Sequence, residues 1–282
     1  MPKDKLRKRL SKIKLIVSDV DGSIANSSNE IGEKTKELVK KLAEKDVKIT
    51  FATQRIHSSV VDFAVDLGID IPIISINGAL IKDIHGNIVS KSVIDPKLVK
   101  KALDFAEKYF VRVALVHEDE IVFTESNSVL RDFMYRLGAD YRQVDSYDNY
   151  MNDILEIIMM GNEKSIVRYI QKKLNFPLKL FHTAKYYRSS SKLGVYHLEV
   201  RKSGTSKKTG IHKLVKHLGY HKNEVAVIGD WFNDRVLFEY GGFNVALQNA
   251  VAELKLMADY ITEKTNDEDG VAEFLQMVYD SK

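Results

Sequence analysis

The sequence predicts an α/β fold in which a parallel sheet is interrupted by an inserted α+β domain. Three observations carry this reading. Apolar strand-type runs alternate with amphipathic helical segments from Ile13 to Ile76, and that alternation needs crossover connections and therefore a parallel sheet. Hairpin-like pairs of short strands mixed with helices follow from Ala79 to Val200. The first rhythm then returns from Thr205 to the end. The expected division is a core of residues 1–83 and 202–282 around an inserted domain of residues 84–201.

The first strand, Ile13 to Ser18, ends at Asp19-Val20-Asp21-Gly22. Ile31, Thr35, Leu38, Val39 and Leu42 stand at helical spacing within Asn29 to Lys45. Val47 to Thr53 is the second strand, Ser58 to Leu67 a helix ended by Gly68, and Ile71 to Ile76 a third strand. Strands at Ala79–Asp83 and Asn87–Lys91 then flank a turn at His85-Gly86-Asn87, and a helix runs from Asp95-Pro96 to Tyr109. Strands at Val111–His117 and Glu120–Phe123, a helix at Asn127–Leu137, a strand at Leu155–Met160 and a helix at Glu163–Leu174 come next. Strands near Lys179–Thr183 and Val195–Val200 close the insertion, and the polar stretch Tyr141 to Asp153 receives no element. Beyond it the pattern gives helices at Thr205–Leu218, Asn233–Tyr240, Ala250–Met257 and Gly270–Tyr279, with strands at Val225–Gly229, Asn244–Leu247 and Tyr260–Ile261.

The chain has 282 residues, enough for a large core, and a formal net charge of +4, too small to suggest a nucleic-acid partner. It has no cysteine, which excludes disulfides, thiolate metal sites and cysteine nucleophiles and fits a reducing, cytoplasmic setting. No apolar segment is long enough to suggest a membrane span. Nothing in the sequence fixes an oligomeric state, and a monomer fits. Lys3, Lys5, Arg7, Lys8, Arg9, Lys12 and Lys14 make the start basic. The apolar run behind them is too short for a signal peptide, so this stretch is expected to be a frayed, solvated lead-in.

Chemistry concentrates where the core strands end. Asp19 and Asp21 follow the first strand, Thr53 ends the second, Lys207 lies in the returning segment, and Gly229-Asp230-Trp231-Phe232-Asn233-Asp234 follows Val225–Gly229. Open α/β sheets place ligands at the carboxyl ends of their strands. Carboxylates suit Mg²⁺, which takes one or two of them together with water and phosphate oxygens. A lysine and a hydroxyl suit the remaining phosphate oxygens, and an aspartate can attack phosphorus as a nucleophile.

These motifs, with Ala52-Thr53-Gln54-Arg55, Ser75-Ile76-Asn77-Gly78-Ala79, Ser206-Lys207, Val245-Ala246-Leu247-Gln248-Asn249-Ala250 and Asn266-Asp267-Glu268-Asp269-Gly270, resemble the haloacid dehalogenase superfamily of phosphatases, in its Cof-type branch. The resemblance implies a Rossmann-like core with a large α+β cap of type IIB. It implies Mg²⁺-dependent hydrolysis of a small phosphorylated metabolite, such as a sugar phosphate, through an aspartyl-phosphate. Asp19 would be the nucleophile and Asp21 the general acid–base, with Thr53 and Lys207 holding the phosphoryl oxygens. Asp19, Asp21 (through its backbone carbonyl), Asp230 and Asp234 would serve the metal. Gln54, Arg55, Asn77, Gly78 and Asn233 would line the substrate. A sugar phosphomutase of the same fold and a non-catalytic phospho-ligand-binding module are the alternatives. Ser23, Gln54 and Lys208 stand where the family commonly has threonine, glycine and glycine, which bears on rate and substrate range.

Specificity is expected in the inserted domain. Alternation along Val195–Arg201 puts Leu198 and Val200 on one face and His197, Glu199 and Arg201 on the other. His197 or Glu199 is expected to meet the leaving group, with Arg201 bracing the hinge. Other signals are weaker. Lys208-Thr209 lacks the glycine a P-loop needs directly before it. Gly219 breaks any helix between His217 and His221, so a zinc pair there is not expected. Asn26-Ser27-Ser28 matches a glycosylation acceptor that would matter only in a secreted protein. Tyr186 and Tyr187 read as a solvated strand edge, and Trp231, the single tryptophan, as either a cleft wall or core packing.

Overall fold

The structure, a computed structural model, describes residues 3–125, 140–176, 181–189 and 193–282. The chain divides into two units. The first comprises Met1–Thr53, Val61–Val89 and Ser206–Lys282, and the second Gln54–Val60 and Ser90–Thr205. The short segment Gln54–Val60 is thus the one piece of the first rhythm that belongs with the inserted domain.

The first unit is built on a five-stranded parallel sheet. Its strands are β1 (Leu15–Ser18), β2 (Lys48–Phe51), β12 (Val225–Gly229), β13 (Phe243–Ala246) and β14 (Tyr260–Ile261), in the order β14-β13-β12-β1-β2. β1 is buried along its length, as a central parallel strand covered on both faces must be. Beyond β2, Ala52 makes a parallel bridge to Ile74 in β3 (Ile73–Ser75). β3 begins a smaller sheet with β4 (Leu80–Lys82) and β5 (Ile88–Lys91), the expected hairpin. The helix Glu33–Ala43 buries Thr35, Leu38, Val39 and Leu42, the stripe its spacing predicts.

The second unit carries a six-stranded mixed sheet. Its strands are β6 (Arg112–Val116), β7 (Ile121–Phe123), β8 (Tyr141–Gln143), β9 (Glu156–Gly161), β10 (His182–Arg188) and β11 (Tyr196–Lys202), in the order β10-β11-β9-β6-β7-β8. Helices Pro96–Tyr109 and Lys164–Leu174 pack one face of it around Val99, Ala102, Leu115, Ile157, Met159, Ile170, Leu198 and Val200. Asp95 caps the first of these helices, accepting a hydrogen bond from the Lys97 amide at 2.8 Å.

Several elements differ from expectation. The basic start is a helix, Lys3–Leu10, rather than a frayed lead-in. Leu10 is buried, and Arg9 is 2.5 Å from Asp259, donates to the Gly242 carbonyl at 3.0 Å and stacks over Phe243 at 4.8 Å. Charge counting missed this because the anchoring carboxylate lies 250 residues away in the chain. Within the polar stretch 141–153, β8 forms by parallel pairing with β7, which supplies the order its composition lacks. β10 begins at His182. Its tyrosine rings are packed, Tyr186 on Tyr196 and Tyr187 on His197, though β10 is a sheet edge. The expected helix Asn233–Tyr240 is a turn of 3₁₀ helix, Phe232–Asp234, followed by a short α-helix, Arg235–Phe238. The helix expected at 127–137 lies outside the described residues. Among those residues, no helix is long and apolar enough to cross a membrane.

Candidate active site

β1 and β12 run parallel, with Ser18 beside Ile228. The residues that follow each strand therefore leave the sheet side by side. The Asp19 amide still bonds the Ile228 carbonyl at 2.9 Å, and Asp230 follows Gly229 directly. Asp19, Asp230 and Asp234 are all buried, with a carboxylate oxygen of each within 4.8 Å of the others. Asp234 arrives through the tight turn after β12, where its carboxylate accepts from the amides of Asp230 at 3.2 Å and Trp231 at 3.3 Å. Gly22 has φ +72°, and a Cβ there would stand 2.5 Å from an Asp230 oxygen. Only glycine fits both the backbone conformation and the space.

Lys207 opens the helix Lys207–Leu218, behind Ser206, which caps it in a reciprocal pair with Thr209. A lysine at a helix N-terminus opposes the helix dipole, and this one is also fully buried. It is held there by two carboxylates, with Nζ 2.6 Å from Asp19 and 2.7 Å from Asp234. Burial alone would lower its pKa, but the two negative charges outweigh burial and hold the ammonium above its usual range.

The carboxylates show the opposite imbalance. Burial, and then the charge of Asp234, push Asp230 up to about 7. Burial and Asp234 likewise hold Asp19 well above the usual carboxylate range, against the pull of Lys207. Three buried carboxylates share one buried cation, so the cluster carries excess negative charge when ionised. A divalent ion with oxygen preference would supply the missing charge, and the donor set fits Mg²⁺. Bound there, it would lower the carboxylate pKa values and neutralise phosphate oxygens.

Asp21 is exposed, in the turn where the Ser23 and Ala25 amides bond the Val20 carbonyl. Its charge adds to the negative field on the buried Asp19 and Asp230. Ser23 donates to Asp230 at 3.0 Å, and Asn249 donates to the Gly22 carbonyl at 2.8 Å. The acidic run near the C-terminus clasps the same loop and the helix that follows it. Asp267 accepts from the Ser27 amide and hydroxyl, Asn266 donates to the Ala25 carbonyl, and Asp269 accepts from the Thr35 amide and hydroxyl. The positioning work of Ser23, Asn249 and Asp269 was not legible as function. Their presence in the motifs was the one signal.

Thr53 is buried, its amide bonded to the Ile74 carbonyl and its own carbonyl to the Asn77 amide. Ile76, Asn77 and Gly78 follow with φ values of 49°, 52° and 91°. For a β-branched residue such as Ile76 this left-handed conformation costs about 1–2 kcal/mol. A Cβ at Gly78 would lie 2.3 Å from the Ser206 carbonyl oxygen, so this turn sits directly against the residue preceding Lys207. Asn233 is exposed.

Gln54, Arg55, His197 and Glu199 belong to the second unit. One Glu199 oxygen accepts from Gln54 at 2.8 Å and from the Tyr187 hydroxyl at 2.6 Å, and the other accepts from Arg201 at 3.1 Å. Arg201 also lies 3.4 Å from Glu156. The His197 ring stacks on Tyr187 at 5.0 Å, nearly parallel. This face of β11 is buried rather than solvated.

Residues 16–275 match the model of the haloacid dehalogenase-like hydrolases. The chain belongs to that family. It is 26% identical to 5-amino-6-(5-phospho-D-ribitylamino)uracil phosphatase YwtE of Bacillus subtilis, over 94% of this chain and 98% of the relative. It is also 26% identical to phosphatase YwpJ of the same organism, over 94% and 99%. Among solved structures, a haloacid dehalogenase-like hydrolase from Bacteroides thetaiotaomicron superposes with a TM-score of 0.82 at 26% identity, covering 94% of this chain and 99% of that one. The subclass IIB sugar phosphatase BT4131 shares the fold, with a TM-score of 0.73 at 22% identity over 93% and 98%. By this homology the chain is a phosphatase of the Cof type, with a parallel core sheet and an inserted cap of subclass IIB.

Proposed function

We propose that the protein hydrolyses small phosphomonoesters, sugar phosphates or related metabolites, with Mg²⁺ held by Asp19, Asp230 and Asp234 and the backbone carbonyl of Asp21. The observation that carries this reading is the buried Lys207 bridging Asp19 and Asp234 beside Asp230. An Asp19 oxygen attacks phosphorus, the bond to the ester oxygen breaks, and Asp21 gives that oxygen a proton. Asp21 then takes a proton from water, which attacks the phosphoryl group on Asp19 and frees phosphate and the original carboxylate. Thr53 and Lys207 hold the phosphoryl oxygens, and Asn77, Gly78 and Asn233 border them. Such in-line transfer needs positioning and charge neutralisation above all, and the buried cluster offers both.

Discrimination between substrates is assigned to the second unit, through Arg55 and His197 and through Glu199, which fixes Gln54 beside Thr53 in the chain. The names of the curated relatives support a metabolite phosphate as substrate. Phosphate release across a panel of phosphorylated metabolites tests the reading. Turnover with Mg²⁺, abolished by a chelator and transferring the phosphoryl group to water, is expected. Undiminished turnover in chelator overturns the metal assignment, and transfer to a second sugar hydroxyl favours the mutase.

A further inference from the structure

The loop after β12 places exposed rings between buried carboxylates. Asp230 and Asp234 are buried, whereas the three residues between them are exposed, Trp231 by 47% and Phe232 by 57%. The loop is firmly pinned. Asp234 accepts from two of its amides, the Asp234 amide bonds the Trp231 carbonyl at 2.9 Å, and the Val251 amide bonds the Asp230 carbonyl at 2.9 Å. Its two rings meet edge to face, with centroids 5.3 Å apart and planes at 73°. Of the two readings of Trp231, this exposure removes core packing. Exposing two large aromatic side chains on a rigid turn forgoes their burial, about 1.5–3 kcal/mol for a fully buried ring the size of phenylalanine. A flat apolar surface on the loop that carries Asp230 and Asp234 gives that exposure a use.

We infer that Trp231 and Phe232 form a stacking corner for a planar, aromatic or heteroaromatic leaving group, so that the preferred substrates are phosphomonoesters carrying such a ring. The inference rests on the phosphatase reading above. Trp231 immediately follows Asp230, and consecutive Cα atoms are about 3.8 Å apart, so the corner starts one residue from a carboxylate of the cluster. One ring stacks on the ligand and the other meets its edge, the two arrangements aromatic pairs favour.

The single tryptophan reports directly on this corner. Two non-hydrolysable phosphonates, naphthylmethylphosphonate and butylphosphonate, are titrated against the whole protein with Mg²⁺ while Trp231 fluorescence is read. Saturable quenching by the naphthyl compound and none by the butyl compound is expected. In parallel, kcat/KM is measured for naphthyl phosphate and butyl phosphate in wild type, Trp231→Leu and Phe232→Leu. The naphthyl-to-butyl ratio should fall roughly fivefold to tenfold in Trp231→Leu and less in Phe232→Leu. An unchanged ratio together with unquenched fluorescence overturns the stacking corner while leaving the phosphatase standing. Absence of turnover on every ester, with quenching retained, overturns the phosphatase reading and leaves the aromatic site.

Discussion

Asp19 in the first unit receives one side-chain hydrogen bond among the described residues, from Lys207, whereas Glu199 in the second unit receives three, from Gln54, Tyr187 and Arg201. Both carboxylates are buried beside a buried cation. In the first unit two further aspartates crowd the same lysine and carboxylate pKa values rise. In the second unit neutral donors share the load with Arg201. The difference separates two uses of buried charge. A saturated network fixes shape, because breaking any member leaves another unpaired. An unsaturated cluster of like charge stays reactive toward a cation and an electrophile.

The sharpest way to break this comparison is Asp19→Asn. An amide keeps the shape but cannot form the acyl phosphate, so steady-state phosphate release should vanish while the circular dichroism spectrum stays native. Near-native turnover would remove Asp19 from the nucleophile's role. Asp21→Asn should cost less, roughly 10²–10⁴-fold, as expected for general acid–base catalysis. The loss should persist with an activated leaving group that needs no proton, because dephosphorylation of Asp19 slows as well.

Glu199→Ala tests the other side. Removing one partner of a buried ion pair costs about 3–5 kcal/mol, here leaving Arg201 with Glu156 alone and Gln54 and Tyr187 without their acceptor. Urea unfolding should show the midpoint drop. Turnover measured below that midpoint should fall more for the best metabolite than for a plain aryl phosphate. Equal losses on both substrates would confine Glu199 to bracing.

The smallest effect is a pH dependence of the metal-free protein. Asp230 has a folded-state pKa of about 7, above the unfolded value of 3.8. The folded state therefore holds the proton more tightly, and the stability this contributes is full below the unfolded pKa and lost as pH rises through about 7. In chelator, the melting temperature of wild type minus that of Asp230→Asn should become more negative between pH 5 and pH 8. Added Mg²⁺ should raise the wild-type melting temperature more at pH 8 than at pH 5. A difference flat with pH would mean that Asp230 does not titrate in this window.

Much of this contrast was legible in the sequence. Strand-type runs ending in Asp19 and Asp230 announced the core, because a parallel sheet aligns its strand ends and the motif order then brings the carboxylates together. Lys207 was legible only as part of a motif. Its burial depends on two carboxylates contributed by distant parts of the chain. The helix Lys3–Leu10 and strand β8 were not legible, since each is ordered by a partner, Asp259 or β7, that no local window contains. On β11 the alternation gave the faces correctly, with Leu198 and Val200 in the core of the second unit. That the polar face would be saturated by Gln54 and Tyr187 is a property of the network and not of the strand.

The central strand β1 pairs with β12 across the whole inserted unit, so Ser23 and Asp230 are 207 residues apart in the chain, and Asp19 and Lys207 188 apart. During synthesis on the ribosome Asp19 emerges well before Lys207, Asp230 and Asp234, with the inserted unit made in between. Until then β1 lacks its neighbour on one side, and Asp19 has neither its counter-ion nor the carboxylates that share it.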